Sequence, residues 1–226
     1  MDVTQHMQFI AKQLAHELQL VAGMKEVTSS PPLLGAYAEA AVRRLVHRMV
    51  SPMRVCSGAI LDFPQPDKLR QIDAIIWAPY PAPAILEAEG FGLVPRSSAF
   101  GVLEIKRSNY PKATKELQTF AATFPKAKPV LLGADDFSTN ITPGMGVVCV
   151  LENKVSERLA SLFDSQRAVA IIKAIDGRKL VVCAEGILRL INFLGTVGWR
   201  YHQQMAYPQF PLLSADLASA GSKYYL

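Results

Sequence analysis

Two short apolar, β-prone runs that carry charge constrain this chain most. In Gln71-Ile72-Asp73-Ala74-Ile75-Ile76-Trp77 a carboxylate precedes four uniformly apolar residues, which places Asp73 at the rim of a core strand. In Gly101-Val102-Leu103-Glu104-Ile105-Lys106-Arg107 alternate side chains share a face, so Glu104 and Lys106 point together while Leu103 and Ile105 point the other way. Charges are rarely put on core elements without a partner. Set side by side on neighbouring strands, two carboxylates and a lysine make a hard-oxygen site for Mg²⁺ (or Mn²⁺) with a cation beside it. That combination suits phosphodiester hydrolysis: metal held by the carboxylates neutralises phosphate charge and activates water, and Lys106 orients that water or stabilises the developing negative charge.

The surrounding pattern predicts a mixed α/β domain. Apolar residues recur at helical spacing from His6 to Leu20, with Gly23 as a stop, and Thr28 to Pro32 reads as a loop. A second helix is expected from about Leu34 to Val50, its stripe marked by Tyr37, Ala41, Leu45 and Met49, with Pro52 ending it. Arg54 to Leu61 and Gln71 to Trp77 read as a hairpin around the turn-rich Asp62 to Asp67. Ala78 to Ser98, with Pro79, Pro81, Pro83 and Pro95, is expected to be a long loop. Phe100 to Arg107 is expected as a strand, Lys112 to Phe124 as a helix, and Pro129 to Leu132 and Gly146 to Leu151 as strands. Val169 to Ile175 and Lys179 to Cys183 suit a hairpin, and Glu185 to Leu194 a last helix. With no internal repeat or low-complexity segment, residues 1–226 are expected to form a single domain, with an N-terminal helix within 1–30 and a tail, 199–226, docked on the core or on a neighbour.

Composition narrows the classes. Half of the 226 residues are hydrophobic and 19% charged, enough to bury a core and unlike a disordered chain. The richest apolar stretch, Ala74 to Leu86, is broken by three prolines, so no membrane span is expected. The N-terminus lacks a basic start followed by an apolar core, and three widely spaced cysteines form neither a disulfide framework nor a Cys-rich zinc site. A cytoplasmic protein is the expectation. A net charge of +5 is compatible with a polyanionic partner without requiring one.

Glu-x-Lys alone is a weak signal, since ten glutamates and twelve lysines in this length give roughly 0.5 chance occurrences. A second one, Glu152-Asn153-Lys154, has Asp135 and Asp136 upstream; it ranks lower because it falls where a strand gives way to a polar, helix-like segment. Asp73 can also be read as pairing with Lys68 or Arg70 at a hairpin mouth, Glu104 and Lys106 as a solvated edge-strand face, and Glu39 with Arg43 as an ordinary i,i+4 pair. Arg43, Arg44 and Arg48 form a basic helix face that either tracks DNA phosphates or is simply solvated.

Ile72-Asp73, about thirty residues, then Glu104-x-Lys106, after a helix carrying Glu39-x-x-x-Arg43, resembles the restriction-endonuclease-like PD-(D/E)xK superfamily. More narrowly it resembles the NucC nucleases, DNA-degrading effectors of bacterial cyclic-oligonucleotide anti-phage (CBASS) systems. The likeness spans about Gly35 to Arg107, with an echo at Leu194-Gly195-Thr196-Val197. It implies a mixed β-sheet flanked by helices, Asp73, Glu104 and Lys106 as catalytic residues, and Glu39 as a helper at the metal site. It further implies a double-stranded DNA substrate and a homotrimer, pairing to a hexamer, activated by a cyclic oligoadenylate bound by Arg54, Tyr80 and Thr196. Extra prolines before Tyr80 and the Arg107 to Pro111 sequence depart from the family pattern. The alternatives of the same fold are a restriction or repair endonuclease without messenger control, and a catalytically inactive binding relative.

Overall fold

Two prolines open a helix instead of lying in a loop. Pro31 and Pro32 occupy its first turn, where a missing N–H costs nothing, and helix α1 runs Pro31–Met49. The computed structural model describes residues 26–61, 69–79, 83–106, 143–149 and 184–206, with positions 9, 13, 16, 17, 20, 24, 112 and 115. Leu34, Ala38, Ala41, Val42, Leu45 and Val46 form the buried stripe of α1, while the expected stripe residues Tyr37 and Met49 pack at its margin. The Val50 N–H donates to the Val46 carbonyl and closes the helix ahead of Pro52.

Among the described residues six strands follow: β1 (Arg54–Leu61), β2 (Ile72–Trp77), β3 (Leu86–Ala88), β4 (Phe91–Pro95), β5 (Ala99–Lys106) and β6 (Gly144–Cys149). They form one sheet in the order β3-β4-β1-β2-β5-β6. β1 with β2, β2 with β5 and β3 with β4 are antiparallel; β1 with β4 and β5 with β6 are parallel. The β1–β2 pairing and β5 match the sequence reading. Residues 78–98 do not: where a long loop was expected, Leu86–Ala88 and Phe91–Pro95 form a hairpin whose second strand lies parallel to β1, followed by a single 3₁₀ turn at Arg96–Ser98.

Gly58 makes that parallel pairing possible. Its φ is +140°, and a Cβ there would sit 1.9 Å from the Gly92 carbonyl oxygen, so no other residue fits opposite Gly92. On the other flank Gly101 and Gly144 stand opposite one another, and a Cβ on either would press on Val197 of helix α2 (Ala184–Ala206).

Ala74, Ile76, Leu103, Ile105 and Val148 from the sheet meet the α1 stripe and Leu190, Phe193, Leu194 and Val197 of α2 in one core. Truncating a leucine in such a core costs about 2–5 kcal/mol. α2 extends twelve residues beyond the expected Leu194 end, and Tyr201 stacks edge-on against Phe100 at 5.5 Å. β6 begins two residues ahead of the expected Gly146. Most of the expected 6–20 and 112–124 helices, the 129–132 strand, the 169–183 hairpin and the tail beyond 206 lie outside the described residues, as does the Glu152-Asn153-Lys154 rival with Asp135 and Asp136. Among the described residues no helix is long and apolar enough to cross a membrane.

Candidate active site

Register brings the two carboxylates together. β2 and β5 pair Ile75 with Val102 and Ala74 with Leu103, so the next step sets Asp73 opposite Glu104. Directly opposed residues share a face, and theirs is the one turned away from Ala74 and Leu103 in the core. Lys106, two residues on, lies on that face also. Its Nζ is 2.6 Å from Glu104 Oε1 and 3.4 Å from Asp73 Oδ2. Both acids are buried, Asp73 to 9% and Glu104 to 4% relative exposure, while a third of the Lys106 side chain is exposed.

Asp73 is held from three directions. The Ile105 N–H donates to its Oδ2 at 2.8 Å and fixes the carboxylate against β5. On the β1 side the register shifts: Cys56 pairs with Ile75 and Gly58 with Ile72, so Asp73 and Ala74 together face Ser57 alone. Such a bulge disrupts the local ladder and re-aims a side chain. From α1, Arg43 Nη1 donates to the Asp73 carbonyl at 2.8 Å and also stands 3.5 Å from Glu39 Oε2. Across the site Arg70 Nη2 lies 3.6 Å from Glu104 Oε2. The expected hairpin-mouth arginine is therefore present, and it reaches Glu104.

The electrostatics are those of crowded acids. Burial first, then the Asp73 charge, pushes the Glu104 carboxyl above its ordinary value; Lys106 and Arg70 pull it down without cancelling the rise. Burial and Asp73 raise Glu39 in the same way, against Arg43 and Lys106. Burial draws Lys106 down, but its hydrogen bond to Glu104 and the charges of Asp73 and Glu104 together lift it above the ordinary lysine value. Among the described residues no three His, Cys, Asp or Glu side chains form a group able to hold a metal ion. Asp73 and Glu104 suffice in number for Mg²⁺, which keeps several waters and takes one or two protein carboxylates. The residues fit a divalent cation, because such an ion would offset the Asp73 charge that, after burial, raises Glu104 and Glu39.

The remaining expected residues are dispersed. Arg54 pairs with Glu87 Oε2 at 2.5 Å and lies 5.4 Å over the Trp77 ring. Thr196 is exposed on α2 and donates to the Asn192 carbonyl at 2.9 Å. No contact joins these two among the described residues, and Tyr80 lies outside them. Arg44 and Arg48, both 57% exposed, reach Glu17 at 4.0 and 3.3 Å. Cys56 is buried, and burial pushes its thiol up to about 11, so it packs as a small apolar residue. Sequence reasoning missed the Arg43 contact with the Asp73 main chain, because an i,i+4 Glu–Arg spacing signals only a helix pair.

Fold and site together define an α/β domain that presents two carboxylates and a lysine on adjacent central strands. Its fold is that of the NucC structures. P. aeruginosa ATCC27853 NucC in its cAAA-bound form aligns with a TM-score of 0.60 at 13% identity, over 88% of this chain and 92% of that one. E. coli MS115-1 NucC aligns at 0.55 and 15% in its cAAA-bound form, over 88% and 92%, and at 0.54 and 13% in its apo form, over 86% and 92%. At these identities the likeness is one of fold. No protein-family model matches the sequence, and no curated protein matches it.

Proposed function

We propose that this chain is a metal-dependent endonuclease for double-stranded DNA, switched on by a cyclic oligonucleotide, with cyclic triadenylate the favoured activator. The observation that carries the catalytic reading is the opposition of Asp73 and Glu104 across β2 and β5, with the Lys106 ammonium touching both. Mg²⁺ or Mn²⁺ at this pair would screen the scissile phosphate and lower the pKa of a bound water. The protein's own residues supply the rest. The Ile105 N–H holds the Asp73 carboxylate from β5, and Arg70 braces Glu104. Lys106, lifted above the ordinary lysine value, stays protonated at neutral pH. Its place against both carboxylates suits a donor to the attacking water or the phosphoryl oxygens.

Two features support the DNA and messenger parts of the reading. The chain carries a net charge of +5, with Arg44 and Arg48 exposed on α1 to meet backbone phosphates, the contacts that indiscriminate cleavage needs. The fold is shared with NucC in a cAAA-bound form. A nuclease without base selectivity would attack its own chromosome, so restraint must come from a ligand that favours one assembly state. In this reading the assembly is a homotrimer that pairs to a hexamer, with Arg54, Tyr80 and Thr196 lining the activator pocket.

Plasmid DNA incubated with the protein, Mg²⁺ and cyclic di- and trinucleotides in turn should be fragmented only in the presence of an activator. EDTA should abolish cleavage, and Asp73→Ala or Glu104→Ala should lower the rate by roughly a thousandfold or more. Undiminished cleavage by either variant would end the catalytic assignment; cleavage indifferent to every messenger would leave an unregulated endonuclease.

A further inference from the structure

Arg43 differs from its neighbours on α1. Sequence reasoning grouped it with Arg44 and Arg48 as a basic helix face, but the three behave differently. The Arg44 and Arg48 side chains are 57% exposed and reach Glu17. The Arg43 side chain is 22% exposed and leaves its helix to bond a main-chain carbonyl thirty residues away. That carbonyl belongs to Asp73, at the bulge where Asp73 and Ala74 stand against Ser57 alone. The same Nη1 stands by Glu39, one helical turn back on α1.

We propose that Arg43 is a positioning residue of the metal site, tying the bulged main chain at Asp73 to Glu39 of α1 and so fixing how the Asp73 carboxylate is presented. This rests on the nuclease reading above. A bulge leaves the strand free to shift, and a carboxylate at the end of a shifting strand makes a poor ligand. Two anchors remove that freedom: the Ile105 N–H holds the Asp73 side chain from β5, and Arg43 holds the Asp73 backbone from α1. Both contacts are made by Nη1, whose N–H groups are fixed in the guanidinium plane, whereas the donors of an ammonium rotate about its stem. Glu39 keeps the guanidinium oriented and, through Arg43, couples helix α1 to the metal site without itself touching metal.

The test uses the full chain and Mn²⁺ as probe, with affinity read by calorimetry and folding by thermal unfolding. Arg43→Met should weaken Mn²⁺ binding by about tenfold or more, as loss of groups that orient ligands commonly does. Arg43→Lys should fall between parent and Arg43→Met. Glu39→Gln should weaken binding in the parent but add little on top of Arg43→Met, since both act through one unit. If Arg43→Met does not fold, Arg43→Lys and Glu39→Gln carry the test. The salt dependence of DNA binding separates positioning from phosphate contact: it should be unchanged in Arg43→Lys and Arg43→Met. Unchanged Mn²⁺ affinity in the variants of a parent that binds Mn²⁺ overturns this proposal alone, as does a decrease of about one in the slope of log affinity against log salt for Arg43→Met. A parent that binds no Mn²⁺ overturns both this proposal and the nuclease reading.

Discussion

Glu104 carries its charge against its surroundings. Burial and the neighbouring Asp73 raise its carboxyl above the ordinary value despite Lys106 and Arg70, so the folded chain holds the Glu104 proton more tightly than the unfolded chain does. A group of that kind stabilises the fold below its unfolded pKa, and the contribution is lost as pH rises through the folded value. Ionising Glu104 in the metal-free protein therefore works against burial and the Asp73 charge. Glu104→Gln should therefore raise Tm in EDTA at neutral pH, by about 2–4 °C for each kcal/mol of relieved repulsion, while cleavage is lost. The gain should shrink as the pH is lowered into the carboxyl range, where the parent glutamate is itself protonated. A lower Tm for the variant at neutral pH would contradict this account. Lys106 follows the same sign in a higher pH window: its value is raised, so its contribution is present below the ordinary lysine range and fades as pH climbs through the folded value.

At the level of elements, the sheet depends on a glycine that its central carboxylate does not advertise. Gly58 sits beside the Asp73 bulge and against Gly92 of β4, with φ +140° and no room for a Cβ. Gly58→Ala should cost more than about 1 kcal/mol, because the native conformation suits no side chain and the added methyl strikes backbone. Urea unfolding should show a lower midpoint at an unchanged slope, and an unaltered midpoint would mean that β1 and β4 separate freely. The elements legible from sequence were those with a strong period: the α1 stripe, β1 with β2, and the alternation in β5. The β3–β4 hairpin was hidden for two reasons. β3 is three residues long and exposed throughout, so it has no apolar pattern, and four prolines nearby read as loop. Its partnership with β1 is parallel and non-local, which no turn signal announces. α2 continues past the expected Leu194 end although Gly195 and Gly198 are poor helix formers, because Val197 and Tyr201 are held on the core beyond them. In the site, the carboxylate pair was legible because two strand patterns align it; the Arg43 anchor was not, since it depends on how α1 crosses the strand end.

For the whole molecule, the proposed restraint and the proposed chemistry act at different places. Asp73, Glu104 and Lys106 lie on β2 and β5, whereas Arg54 stands at the start of β1, tied to Glu87 of β3 and stacked over Trp77 at the far end of β2 from Asp73. An anionic activator reaching Arg54 would compete with Glu87 for the guanidinium, and β2 runs from that contact to the catalytic pair. A ligand shifts an equilibrium only by its differential affinity for the two states, so activation through assembly must show mass action. Cyclic triadenylate should move the protein toward its larger species in light scattering, and the concentration giving half-maximal cleavage should fall as protein concentration rises. Arg54→Ala should lose that response while retaining Mn²⁺ binding, because Asp73, the proposed ligand on β2, lies toward the opposite end of the strand. Activation independent of protein concentration would shift the switch from assembly to a change within one chain. Loss of Mn²⁺ binding in Arg54→Ala would mean that the two sites are one.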